Sequence, residues 1–353
     1  MNPVNNIPFK HYPKIQTVEI DPGYNEEVSS NNLPFGVKIL IFNNKPEGGS
    51  FFNQLLDNLP NTITYIMLND EFNQPLNNLP PNLTHLKLGW SYNQALNNLP
   101  NSITHIYFAR YGLFNIPLNN LANNLIHLDL GNNYTHSIDN LPDSICELVL
   151  GDNFNQVIKK LPKNITYLVL GNNFNQLIDE LPDTIVYLIL GRNFNRPIRK
   201  LPKNLIRLIL DVDFNQCVDY LPSTLEFLIM GSAFNQGIEF LPINLKKLTL
   251  GGMFNQSIDN LPHGLTDLTL KDNFSQPINK LPDSLVYFNI KYVNSIIPID
   301  NLPHCLEVLH LNIAYNKPID NLPMGLKEIH IYRQQEQLIK KIPFGCKITI
   351  YTY

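Results

Sequence analysis

Apolar residues return along this chain in a short fixed rhythm. From Ile165 the apolar positions run Ile165-x-x-Leu168-x-Leu170, then Gly171, Phe174, Ile178 and the pair Leu181–Pro182. The same set reappears as Leu205, Leu208, Leu210, Phe214, Val218 and Leu221–Pro222. The Leu–Pro pairs begin at Leu33, Leu59, Leu79 and Leu99 and run from Leu121 to Leu281 at intervals of 20. Leu302, Leu322 and Ile342 follow, and Ala122 replaces the proline once. The alternation Leu168-x-Leu170 predicts a short strand that sends every second side chain inward. Glycine at Gly131, Gly151, Gly171, Gly191, Gly231 and Gly251 marks where the chain leaves each strand. The proline disfavours helix ahead of the next strand. Nothing between strands carries a helical period, so the connections are expected to be irregular or 3₁₀-like.

Two columns belong inside the coil or in its turns. Phe52, Phe72, Phe114, Phe154, Phe174, Phe194, Phe214, Phe234, Phe254 and Phe274, with Tyr92, Tyr134 and Tyr315, should stack as an aromatic spine. An asparagine follows most of these rings, from Asn53 to Asn316, and its amide is suited to pairing with the backbone of the adjacent coil. A dozen copies of one residue are structural, since catalysis has no use for a dozen equal sites.

An array also changes how length is read, because 353 residues would otherwise suggest two or three globular domains. The expected organisation is an amino-terminal cap over 1–32 with a partial repeat, in which Ile15, Val18 and Ile20 occupy strand positions. About 16 repeats fill 33–353, the last serving as a carboxy-terminal cap. Insertions fall between Phe42 and Phe52, near Leu113 and near Ser295, and Thr349 is expected at an inward position of the final strand.

The pattern L-x-x-L-x-L-G-x-x-F-N-Q-x-[IL]-x-x-L-P resembles the FNIP repeat, a short relative of leucine-rich repeats, from about Leu33 onward. Phe114-Asn115-Ile116-Pro117 spells the motif literally. The resemblance implies a β-rich, right-handed solenoid with a parallel sheet on its concave face. It also implies kinship with proteins of social amoebae and of giant viruses that infect protists, some of which join an F-box to the repeats. A substrate adaptor of a ubiquitin ligase, or a host-directed effector, is therefore one alternative role. A passive self-associating structural component is another.

The leading expectation is a non-catalytic scaffold that binds an unknown protein partner through the concave sheet. Stacked strands turn residues one period apart into neighbours, so the outward positions read as ladders. One ladder holds Tyr167, Tyr187, Arg207 and Phe227, and its companion holds Val149, Val169, Ile189, Ile209 and Ile229. An outward apolar stripe edged by Tyr and Arg is the expected contact, although Val and Ile also simply suit strands. His85, His105, His127 and Glu147 form the one ladder of metal-like residue types, but collinear neighbours are poorly placed for a tetrahedral ion. No metal or cofactor is therefore expected.

Other classes fall away on composition. A net charge of −4 argues against a nucleic-acid binder. No apolar run of spanning length and no apolar leader occur, so no membrane partner is expected and a cytoplasmic setting is, the host's if the protein is viral. The chain is read as a monomer. Cys146, Cys217, Cys305 and Cys346 lack paired spacing and read as thiols. None of the nucleophile, phosphate-loop, dinucleotide or zinc motifs is present, so no enzymatic activity is expected. Charges alternate by coil, as in Asp139, Lys159, Asp179, Arg199 and Asp219, or Asp143, Lys163, Asp183 and Lys203, which would hold register.

Overall fold

The computed structural model describes residues 9–11, 16–44, 51–293 and 297–352. Ile15 lies outside the described residues, as do most of the insertion before Phe51 and the residues around Ser295. The chain forms two compact units, Met1–Gln176 and Leu177–Tyr353.

Short strands at the pattern's Leu-x-Leu positions build both units. The first holds β1 (Phe9–His11), β2 (Thr17–Ile20), β3 (Ile39–Phe42), β4 (Tyr65–Met67), β5 (His85–Leu88), β6 (His105–Phe108), β7 (His127–Asp129), β8 (Glu147–Val149) and β9 (Tyr167–Leu170). From β2 to β9 each strand pairs in parallel with the next, and β1 lies antiparallel against β2. The second unit holds β10 (Tyr187–Leu190), β11 (Arg207–Leu210), β12 (Phe227–Met230), β13 (Lys247–Leu250), β14 (Asp267–Asp272), β15 (Tyr287–Val293), β16 (Val308–His310), β17 (Glu328–Tyr332) and β18 (Lys347–Tyr351), again all parallel. The register is one period, so Leu208 faces Leu228 and Leu228 faces Leu248. Each unit is thus a β-solenoid of the leucine-rich-repeat kind. Among the described residues the only helix is a 3₁₀ segment, Arg333–Leu338.

The proline enters each strand through a tight turn, in which the amide of Ile185 donates to the carbonyl of Pro182 at 3.2 Å. Leu125 makes the same bond to Ala122 at 3.2 Å, so the turn survives without the proline ring. The following position alternates between a hydroxyl and an amide from coil to coil. Ser144 and Thr224 donate to Leu125 and Leu205 carbonyls at 2.6 and 2.8 Å, whereas Asn204 and Asn244 reach Asp183 and Ser223 carbonyls at 2.9 and 2.8 Å.

The aromatic spine forms inside each unit. Rings of Phe52, Phe72 and Tyr92 stack at 6.1 and 6.3 Å, and Phe194, Phe214, Phe234, Phe254 and Phe274 follow one another at 6.0 to 6.2 Å. All are buried, each ring contributing about 2–3 kcal/mol of apolar burial. One coil before Phe52, Tyr24 is also buried, and the Oδ1 of the following Asn25 accepts the amide of Asn53 at 2.9 Å. The spine finishes on a polar residue. Gln335, one period after Tyr315, is fully buried and donates to the carbonyls of Asn312 and Tyr315 at 2.6 and 3.0 Å.

Three details differ from the sequence reading. The last strand is offset by 19 residues, Glu328 facing Lys347, so Thr349 faces His330 on the outward column and Ile348 and Ile350 take the inward positions. The glycine column serves close approach as well as chain exit, for which only Gly131 of the column among the described residues takes a positive φ, 63°. A Cβ on Gly251 would sit 1.8 Å from the carbonyl oxygen of Gly231, although Gly251 has no positive φ. The charge columns are only partly ion pairs. Lys163 and Lys203 reach Asp143 and Asp183 at 2.7 and 3.0 Å, but Asp139 and Asp179 accept the backbone amides of Lys159 and Arg199 at 3.3 and 3.4 Å. The lysine ammonium holds Asp143 below the ordinary carboxylate range, and the backbone amide of Lys203 does so first for Asp183.

Candidate functional site

The outward positions of the strands flank a buried leucine and are therefore only half covered. In the first unit Tyr167 and Val169 bracket Leu168 on β9, and Val149 follows Leu148 on β8, with Val149 facing Val169 in register. In the second unit Tyr187 and Ile189 on β10, Arg207 and Ile209 on β11, and Phe227 and Ile229 on β12 form two adjacent ladders. Ile189 faces Ile209, which faces Ile229, and Ile229 is 42% exposed.

Their polar edge is organised around one cation. The Arg207 guanidinium carbon lies 4.2 Å from the centre of the Phe227 ring and 5.9 Å from that of Tyr187. Lys247 approaches the Phe227 ring to 5.8 Å and pairs with Asp267 at 3.0 Å. Arg207 remains exposed, and a guanidinium over an aromatic face is suited to planar stacking and carboxylate recognition. The sequence placed these residues in one column but gave no sign of the sandwich.

The histidine ladder lies on the same sheet face of the first unit. His85 and His105 stack with centres 4.3 Å apart, and His105 and His127 with centres 5.9 Å apart. Their Nδ1 atoms are engaged: His85 by the Thr84 hydroxyl at 2.9 Å, His105 by the Thr104 hydroxyl at 2.8 Å, and His127 by Glu147 Oε2 at 2.8 Å. Burial first, then His85 and His127, push the pKa of His105 down. Stacked imidazoles aim their lone pairs side by side rather than at one point, and no group of three ligand side chains among the described residues converges on an ion position.

A second imidazole stack, in the second unit, escaped the sequence reading. His310 and His330 lie 3.8 Å apart with nearly parallel planes. The Tyr351 hydroxyl sits 3.2 Å from His310 Nδ1 and 3.3 Å from His330 Nδ1, and Lys291 lies 3.6 Å over the Tyr351 ring. The two histidines are one period apart, which was the available signal. The 19-residue step to β18 hid Tyr351.

The FNIP repeat model matches residues 76–111, 114–153, 154–193 and 194–233. Residues 76–233 carry FNIP repeats. Each of the last three matched segments spans two coils, which agrees with the alternation of turn donors and of charges, so the FNIP unit here is a coil pair. Among solved structures, the chain is similar to CroV588 of the giant virus CroV, described as a novel circular leucine-rich-repeat protein, with 29% identity and a TM-score of 0.62. That match covers 93% of this chain, which spans 65% of the length of CroV588. YopM from Yersinia enterocolitica is 20% identical with a TM-score of 0.46, over 95% of this chain and 87% of its own. No curated protein matches the chain in sequence. Leucine-rich-repeat-like solenoids are typically protein-interaction scaffolds and usually lack enzymatic activity. Among the described residues no helix is long and apolar enough to cross a membrane.

Proposed function

We propose that this FNIP array is a non-catalytic scaffold that holds a protein partner against the outer face of its sheet. The principal contact is the second unit's Ile189, Ile209 and Ile229 with Tyr187, Arg207 and Phe227. Val149, Val169 and Tyr167 present the same chemistry in the first unit. One observation carries this reading: Arg207 is held between two aromatic rings beside an isoleucine ladder that remains partly open to water. Contact sites are enriched in anchored aromatic and arginine side chains with apolar surroundings. The cysteines are free thiols, which suits a reducing compartment such as a cytoplasm.

Affinity capture from a protist lysate, with the chain and its Ile209→Asp and Arg207→Ala variants in parallel, tests the proposal. A partner retained by the parent chain and lost from both variants, with circular dichroism unchanged, is the expected result. Retention of every captured protein by both variants would overturn it.

A further inference from the structure

A second surface lies on the turn side of the second unit, where one coil departs from the charge alternation. Two alternate coils place cations at three turn positions. They are Lys159, Lys160 and Lys163 in one coil and Arg199, Lys200 and Lys203 two coils later. Two coils further on, the same three positions hold Glu239, Phe240 and Ile243. Compared with those two coils, this one carries an acid and two large apolar side chains where they carry three cations.

None of these replacements is buried. Phe240 is 68% and Ile243 72% exposed, and Tyr220, one period before Phe240, is 66% exposed. Leu241 and Pro242 between them hold the usual turn, with the Leu245 amide donating to the Pro242 carbonyl at 3.1 Å. The fold therefore does not need Phe240 or Ile243 for its core. Aromatic and branched side chains clustered in water mark a contact surface.

The charge beside the cluster indicates what it contacts. Asp219, Glu239 and Asp259 stand at one column position on three successive coils, following Arg199 at the same position one coil earlier, and adjacent coils are set by parallel strand pairing at about 4.8 Å. Asp259 pairs with Lys280 at 3.4 Å. Among the described residues neither Asp219 nor Glu239 forms a salt bridge, and both are exposed. Like charges at such spacing repel, and an incoming cation relieves the repulsion.

We propose that Tyr220, Phe240 and Ile243, edged by Asp219 and Glu239, dock a basic amphipathic helix of a partner protein. Successive turns of a helix rise about 5.4 Å, close to the coil spacing, so cations one turn apart can meet successive carboxylates. The helix's apolar flank then covers the two rings and Ile243. This surface is separate from the sheet face and does not depend on its role.

The test is fluorescence anisotropy of a labelled, helix-forming peptide that carries lysines on one face and leucines beside them, titrated with the full chain. The parent chain binds, and Phe240→Ser with Ile243→Ser weakens binding at least tenfold. Glu239→Lys, which restores the alternation, does the same. These positions are exposed, so the variants keep their circular dichroism and melting temperature. Unchanged affinity in either variant overturns the proposal. Equal binding of a peptide with glutamates for lysines overturns it as well, as does absence of binding to the parent chain up to about 1 mM peptide. A parent dimer that Phe240→Ser converts to a monomer in sedimentation would assign the patch to a second copy instead, and so would also overturn it.

Discussion

The side-chain oxygen of Asn73 accepts the backbone amide of Asn93 at 2.9 Å, one coil further on. The relation recurs from Asn215 to Asn235 and from Asn235 to Asn255, each at 2.9 Å. Each asparagine thus supplies the acceptor that the next turn lacks, while its own amide donates to the previous coil. The column is a ladder in which one side chain per coil replaces a missing backbone acceptor.

Removing a rung should therefore cost more than a surface substitution. Asn215 Oδ1 accepts both the Asn235 amide and the Gln236 side chain, at 2.9 and 3.1 Å. Asn215→Ala is expected to lower unfolding free energy by roughly 1–3 kcal/mol, while Asn215→Asp, which keeps the acceptor, costs less. Urea denaturation of the three proteins measures the difference.

Tyrosines of the spine divide by their hydroxyls. Tyr134 donates to the Ser137 carbonyl at 3.2 Å and Tyr315 to that of Pro318 at 3.3 Å. Tyr92 is fully buried and its hydroxyl has no partner among the described residues, and burial alone drives its pKa far up. Replacing an unsatisfied buried hydroxyl by hydrogen removes a desolvation penalty. Tyr92→Phe is expected to raise stability by about 1 kcal/mol and Tyr134→Phe to lower it by about as much, read from thermal melts.

Acid should weaken the second unit through its imidazole stack. Burial first, then His330 and Lys291, push the pKa of His310 from the usual 6.5 to about 4, against an opposing pull from Glu328. The unfolded chain then binds a proton that the folded chain refuses between these values. Stability is fully present above pH 6.5 and declines as pH falls toward about 4. His310→Asn should flatten this part of the pH profile, measured by denaturant midpoints at a series of pH values. An unaltered slope would remove His310 as its source.

Much of the fold was legible because the same requirement is written into every coil. Leu168, Leu188 and Leu208 must all point inward at the same step, so an ambiguity in one coil is resolved by the others. What stayed hidden depends on departures from the period or on distances. Thr349 was misplaced because the final step is one residue short. Gln335 ends the spine with an amide, and no hydrophobic pattern announces a polar residue at a core position. Gly251 looked like a turn residue, whereas the crowding comes from the neighbouring coil's carbonyl. For the candidate contact, column membership was readable from spacing. The placement of Arg207 between Tyr187 and Phe227 depends on side-chain rotamers that spacing does not encode.

All of these columns require that positions one period apart be lateral neighbours. In a chain with its four native cysteines replaced by serine, cysteines introduced at Ile229 and Thr249 would occupy register partners on adjacent parallel strands. Neighbouring strands lie about 4.8 Å apart, within the range of about 4.4–6.8 Å that a disulfide spans. Mild oxidation followed by mass spectrometry is expected to show that crosslink in high yield, and little from a pair at Ile229 and Leu248, whose second member points inward. Absence of the 229–249 crosslink, or equal yield from both pairs, would contradict the stacked register.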